Sequence, residues 1–201
     1  RGGLLVNLTA DGEGLIRLEE GTARLIARLP ARGESTPTAA PSPPTTHRGI
    51  AIPAQVSYVA RAFGAPVYGH RSTAALLVLT KYLSNGYLYK TIRVQGGAYG
   101  GMSLYDPIDG VFAFLSYRDP HILRTLKAYD DAIATACRGE WRDEDVEKAV
   151  IATIGSLDRP LDPAGRGAVA LHRYMAGIDD DYRQVLREEI LGMTLNLLRE
   201  N

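Results

Sequence analysis

Two strand-like runs, Ala98 to Tyr105 and Val111 to Tyr117, flank the segment Asp106-Pro107-Ile108-Asp109-Gly110. No other stretch limits the fold as tightly. Proline fixes one backbone angle and glycine tolerates the left-handed region, so a short connector bearing both reverses the chain. The pattern predicts a β-hairpin, and a hairpin forces its two strands to pair antiparallel.

The remaining elements are read from apolar periodicity. Leu4, Val6 and Leu8 alternate with Leu5, Asn7 and Thr9, which predicts a strand buried mainly on one face. Asp11 is a candidate N-cap for a helix through Leu15, Leu18, Leu25 and Leu29 that ends at Pro30. Residues 31–46 turn rich in Pro, Thr, Ser and Ala and predict a loop or linker. Val56, Tyr58, Ala60 and Ala62 alternate with Gln55, Ser57 and Arg61, a second half-buried strand. Ser72 is placed to cap a helix through Ala74 to Leu83 that stops near Asn85-Gly86, before a short helical piece, Tyr87 to Arg93. After the hairpin come helical runs His121 to Arg138, Glu140 to Leu157 with Asp143 as cap, Pro163 to Met175, and Asp180 to Leu198. Strands early and helices late predict one α+β domain over 1–201, a mostly antiparallel sheet with helices packed on one face.

Charge excludes some partners. Lys plus Arg and Asp plus Glu both number 23, so no global field favours nucleic acid or an anionic membrane surface. The apolar run Ala74 to Thr80 is far too short to span a bilayer, and no signal-peptide pattern opens the chain. Because it begins at Arg1, a piece of a longer protein is expected. Cys137 is the only cysteine, which rules out an intrachain disulfide. On an amphipathic helix it is expected to be a buried, inert thiol. A reducing, soluble and cytoplasmic setting is favoured.

Familiar catalytic motifs fail on spacing. No lysine follows Gly100 or Gly101, so the glycines are not a phosphate loop, and no Gly-x-Gly-x-x-Gly occurs there. Gly101-Met102-Ser103-Leu104-Tyr105 has tyrosine where a nucleophile elbow needs glycine. His47, His70, His121 and His172 are scattered, none with a second histidine three or four residues away, so the chain itself offers no metal site. Glu188-Glu189 beside Arg187 reads as a solvated helix face.

One segment stands apart: Ile92-Arg93-Val94-Gln95-Gly96-Gly97-Ala98-Tyr99-Gly100-Gly101. Glycine pairs enclose Ala98 and Tyr99, leaving bare backbone that a second chain could approach. Arg93 and Tyr99 bring a cation and a neutral hydroxyl donor near one another. Such a pair suits a peptide carbonyl or a developing oxyanion. A glycine-rich turn with an ordinary surface arginine and a rim tyrosine fits the same residues.

The run from His70 through Tyr99 to Ser116-Tyr117-Arg118-Asp119-Pro120 resembles the C-terminal domain of presequence proteases, members of the pitrilysin-like inverted-zincin peptidases. Thr125-Leu126, the stretch Ala152 to Pro163 with Leu157-Asp158-Arg159-Pro160, and the opening Gly2 to Pro30 extend the likeness. It covers nearly the whole chain except the Pro/Thr-rich loop. The resemblance implies the same α+β fold and a peptidase built from two halves that close over unstructured peptides. In that family the N-terminal half carries His-x-x-Glu-His, which binds zinc and supplies the general base. The C-terminal half contributes an arginine and a tyrosine, which by motif position are Arg93 and Tyr99. The resemblance thus implies that Tyr99 stabilises the oxyanion and Arg93 binds a substrate carbonyl, with Gly97 and Ala98 lining the substrate. This chain has no His-x-x-Glu-His, so zinc and base must come from an N-terminal half, in the same gene product or a separate subunit. The competing expectation is an inactive peptidase-like scaffold or peptide-binding module.

Overall fold

The computed structural model describes residues 4–29, 47–139 and 141–200. The expected 31–46 loop and the start at Glu140 therefore lie outside the described residues. The chain divides into two compact units. One comprises Arg1–Pro53 with Leu161–Arg173, the other Ala54–Pro160 with Tyr174–Asn201.

In the first unit Asp11 caps helix α1 (Gly12–Ile26) as expected, its Oδ1 accepting from the Gly14 amide at 2.7 Å. Residues 4–10 form no strand, contrary to their alternating pattern. Alternation marks a two-faced segment but does not supply a partner strand, and Leu4, Leu5 and Val6 are exposed. The segment is tied instead by Asn7, whose Nδ2 donates to the Gly167 carbonyl at 2.8 Å. Gly167 belongs to helix α5 (Pro163–Ala176), most of which lies in this unit.

The second unit holds a three-stranded antiparallel sheet of order β1-β3-β2, with β1 Ala60–Gly64, β2 Gly100–Asp106 and β3 Val111–Tyr117. The predicted hairpin is β2–β3, closed with Gly110 at φ 64. The first strand is shorter than expected and its faces are reversed. Val59 is buried in the core with Phe114 and Tyr129 while Tyr58 is exposed, and Arg61, on the same side of the strand as Val59, pairs with the exposed Asp130. An inward arginine that keeps its head paired misleads a polar-out reading.

Helices cover one face of this sheet. Helix α2 (Thr73–Leu83) begins without a side-chain cap from Ser72. It does not stop at Asn85-Gly86 but widens into a π-helix, Ser84–Val94. Helix α3 (Leu123–Arg138) packs Tyr129 in a stack on Phe114 of β3, ring centres 5.2 Å apart. Leu83, Leu88 and Ile92 complete that core with Val59, Ala128 and Ala132. A second core joins α2 to α4 (Asp143–Leu157), α6 (Asp180–Leu191) and α7 (Leu195–Glu200) through Val78, Val146, Ile190 and Leu198. Asp143 is the first residue of α4 rather than its cap, which is Arg142. The expected single helix from Asp180 to Leu198 breaks at Gly192, leaving α6 and α7. Cys137 is exposed on the last turn of α3, not buried as its helical pattern suggested.

Candidate functional site

The π-helix sets the site. A helix closed by i→i−5 bonds, such as Gln95 N–H to the Lys90 carbonyl at 3.0 Å, turns less per residue than an α-helix. Tyr89 and Arg93, four residues apart, project together on the exposed side while Leu88 and Ile92 stay in the core. The helix ends at Val94, and three residues on Gly97 takes a left-handed φ of 76. The Gly97 amide donates to the Arg93 carbonyl and the Ala98 amide to that of Ile92, both at 3.1 Å, a glycine-terminated cap.

The glycines have internal reasons. A Cβ on Gly96 would lie 2.5 Å from the Ile92 carbonyl oxygen, and one on Gly101 would lie 2.7 Å from the Ile92 Cβ. Gly97 is exposed and Ala98 is buried, so neither presents a side chain to a ligand. The expectation that the cluster leaves open backbone does not hold for Gly96 and Gly101, whose missing side chains make room for Ile92.

Arg93 and Tyr99 do come together. The Arg93 guanidinium carbon lies 5.6 Å from the Tyr99 ring centre and 5.5 Å from that of Tyr89. Both distances suit cation–π attraction, which holds the planar group between two rings. Tyr99 is 65% exposed, and its ring meets Tyr117 edge-on at 5.7 Å. Tyr117 meets Tyr58 likewise at 5.3 Å. Sequence reasoning missed Tyr89, Tyr117 and Tyr58. Tyr89 stands four residues before Arg93, a same-face helical spacing that signals it, whereas Tyr58 is legible only with the strand register known.

Behind the patch, Arg118 takes a left-handed φ of 49, unusual for a residue with a side chain. This turn lets Asp119 exchange backbone hydrogen bonds with Ser57, at 2.7 and 2.9 Å. The buried Asp119 carboxylate then accepts from the His121 amide at 2.8 Å and the Thr125 hydroxyl at 2.6 Å. It thereby fixes the start of α3 against the end of β3. Tyr129 donates its buried hydroxyl to the Val59 carbonyl at 3.0 Å, and burial pushes its pKa up to about 12. It is a structural phenol, kept neutral.

Among the described residues no group of three His, Cys, Asp or Glu could hold a metal ion. The described donors therefore do not fit the zinc that the resemblance implies for a complete enzyme. Among the described residues no helix is long and apolar enough to cross a membrane.

A family model described as the PreP C-terminal domain matches residues 48–199. The chain belongs to that family. The domain is 39% identical over 97% of its length to presequence protease 1, chloroplastic/mitochondrial, of Arabidopsis thaliana, and spans 18% of that protein. It is 33% identical over 73% of its length to the mitochondrial presequence protease of Kluyveromyces lactis, spanning 15% of that protein. Among solved structures, the peptidase M16 inactive domain from Pseudomonas fluorescens superposes with a TM-score of 0.65 at 17% identity. That match covers 92% of this PreP C-terminal domain and 46% of the other chain. The structural likeness supports the α+β fold with helices on one face.

Proposed function

We propose that this domain is the substrate-clamping part of a zinc metalloendopeptidase that degrades unstructured peptides. Arg93 binds a carbonyl of the peptide in the ground state. The Tyr99 hydroxyl donates to the oxygen of the scissile carbonyl as that oxygen gains negative charge. Such a donor stabilises the transition state more than the bound substrate, and so acts on turnover more than on binding. Gly97, exposed and without a side chain, leaves room for the peptide beside them, and Ala98 contributes backbone only. Zinc and general base are assigned to an N-terminal half, as the family resemblance implies. The relatives named above carry organellar designations, which lend no support to a cytoplasmic setting for this chain.

The observation that carries this reading is the exposed pairing of Arg93 with Tyr99 on a guanidinium–ring contact of 5.6 Å. In the complete peptidase, Tyr99→Phe keeps the ring and its contacts with Arg93 and Tyr117 but removes the donor. The expected result is a loss of about 10²–10³-fold in kcat with KM and melting temperature nearly unchanged. Arg93→Ala is expected to impair both KM and kcat. A Tyr99→Phe enzyme of full turnover and normal stability would instead show that Tyr99 is a rim tyrosine on a glycine-rich turn and gives no hydrogen bond to the oxyanion.

A further inference from the structure

Arg93 is held differently from four other arginines of its unit. Arg61, Arg142, Arg183 and Arg187 pair with the carboxylates of Asp130, Asp145, Asp180 and Asp158. The Arg93 guanidinium has no carboxylate or hydrogen-bond partner among the described residues. It lies instead over two rings, 5.5 Å from the centre of Tyr89 and 5.6 Å from that of Tyr99. The difference has a chemical consequence. A carboxylate accepts guanidinium N–H groups in their own plane, often two at once, and so occupies donors. An aromatic ring attracts the cation through its face and leaves the five N–H groups at the guanidinium edge free.

We propose that Tyr89 is a positioning residue, whose ring orients the Arg93 guanidinium while leaving its N–H donors to a peptide carbonyl. The inference rests on the function proposed above and adds to it a residue that acts through Arg93. Tyr99 has a second task at the oxyanion, whereas the Tyr89 hydroxyl has no partner among the described residues. Tyr89 also travels with Arg93, four residues before it on one helix, a spacing that stacks side chains one above the other. The backbone beneath them is anchored by Leu88 and Ile92, both in the core. Tyr89 itself is 47% exposed, so its ring adds little to that core. An arginine left free would give up its rotamer freedom on meeting the carbonyl, and that loss weakens binding. A ring already holding the side chain removes part of it.

The test replaces Tyr89 by Leu, Phe and Glu in the complete peptidase and measures kcat, KM and melting temperature with one unstructured fluorogenic peptide. Tyr89→Leu removes the ring face and is expected to lower kcat/KM about two- to five-fold, the worth of an exposed cation–π contact, at an unchanged melting temperature. Tyr89→Phe keeps the face and is expected to restore both constants. Tyr89→Glu is the sharpest arm. A glutamate four residues before an arginine forms a helical ion pair, so it anchors Arg93 while occupying its donors. KM is expected to rise further than in Tyr89→Leu. In an Arg93→Ala background, Tyr89→Leu is expected to change nothing more. A Tyr89→Phe enzyme as poor as Tyr89→Leu would assign the effect to the hydroxyl and overturn the proposal. A Tyr89→Glu enzyme better than Tyr89→Leu overturns it too, since any anchor would then serve. Losses from Tyr89→Leu that add in full to those of Arg93→Ala mean that Tyr89 acts by packing, which overturns it equally. Where Arg93→Ala is impaired and Tyr89→Leu is not, the positioning role fails and the clamp stands. Full activity of Arg93→Ala sinks the clamp and the positioning role with it.

Discussion

Ile92 decides the spacing between the two arms of the site. It is 2% exposed and lies between the π-helix and the start of β2, with no free volume toward Gly101. Gly101→Ala would set a methyl 2.7 Å from the Ile92 Cβ and 2.9 Å from its Cγ2, too close for either to remain. Overpacking of this kind costs about 1–3 kcal/mol. The strain falls on the residue beside Arg93, so the variant is expected to lose peptidase turnover along with several degrees of melting temperature. Gly64→Ala, where a Cβ meets nothing within 4 Å, is the control and should change neither. Calorimetry and turnover on both variants check this, and a stable Gly101→Ala protein would show that the contact can relax. The residues of the site are half legible in sequence. Arg93 and Tyr99 stand out by their motif, yet the reason for the glycines does not, since it depends on which side chain packs over them. Cys137 misleads for a similar cause: helical spacing names a face without saying whether that face is covered at the last turn.

At the scale of elements, the hairpin is legible because Pro107 and Gly110 act locally, and the helices after it because their apolar stripes are long. The π-helix is not, since Asn85-Gly86 ordinarily ends a helix and only the packing of Leu88 and Ile92 carries the chain through it. The missing strand at Leu4–Thr9 fails for want of a partner, a non-local condition. Contacts between elements are equally invisible beforehand. Arg187 of α6 donates twice to the Asp158 carboxylate at the end of α4, its Nη2 at 2.8 Å. Hydrogen bonding to that guanidinium holds the Asp158 carboxyl below its usual range. A depressed folded-state pKa contributes stability above the unfolded value and loses it as pH falls through the folded one. Asp158→Asn should therefore lower the melting temperature slightly at neutral pH and leave it unchanged well below the carboxylate range. The pair is exposed, so the difference is small and shrinks in salt. A gap between variant and parent that persists in acid would assign the effect to something other than charge.

For the molecule as a whole, the governing fact is the small share of its relatives' length that this domain covers. It spans 18% of the Arabidopsis protein and 15% of the Kluyveromyces one. On the function proposed above it presents a pair of donors, and among the described residues no group of three His, Cys, Asp or Glu that could hold a metal ion accompanies them. Hydrogen-bond donors that stabilise charge in a transition state do nothing until something else delivers that charge to them. Four scattered histidines and one cysteine do not build a tetrahedral zinc site of ordinary ligand spacing. The isolated domain is therefore expected to retain no stoichiometric zinc after dialysis and to cleave no unstructured peptide. Inductively coupled plasma mass spectrometry and a fluorogenic peptide assay check the two halves of that statement independently. One zinc per chain, lost on substituting His70 or His121, would place a metal centre inside this domain. Peptide cleavage without zinc, abolished by Tyr99→Phe, would mean that the donors work with a base of their own. Activity that appears only when the N-terminal half is added, and that fails with Arg93→Ala, is the outcome the clamp requires.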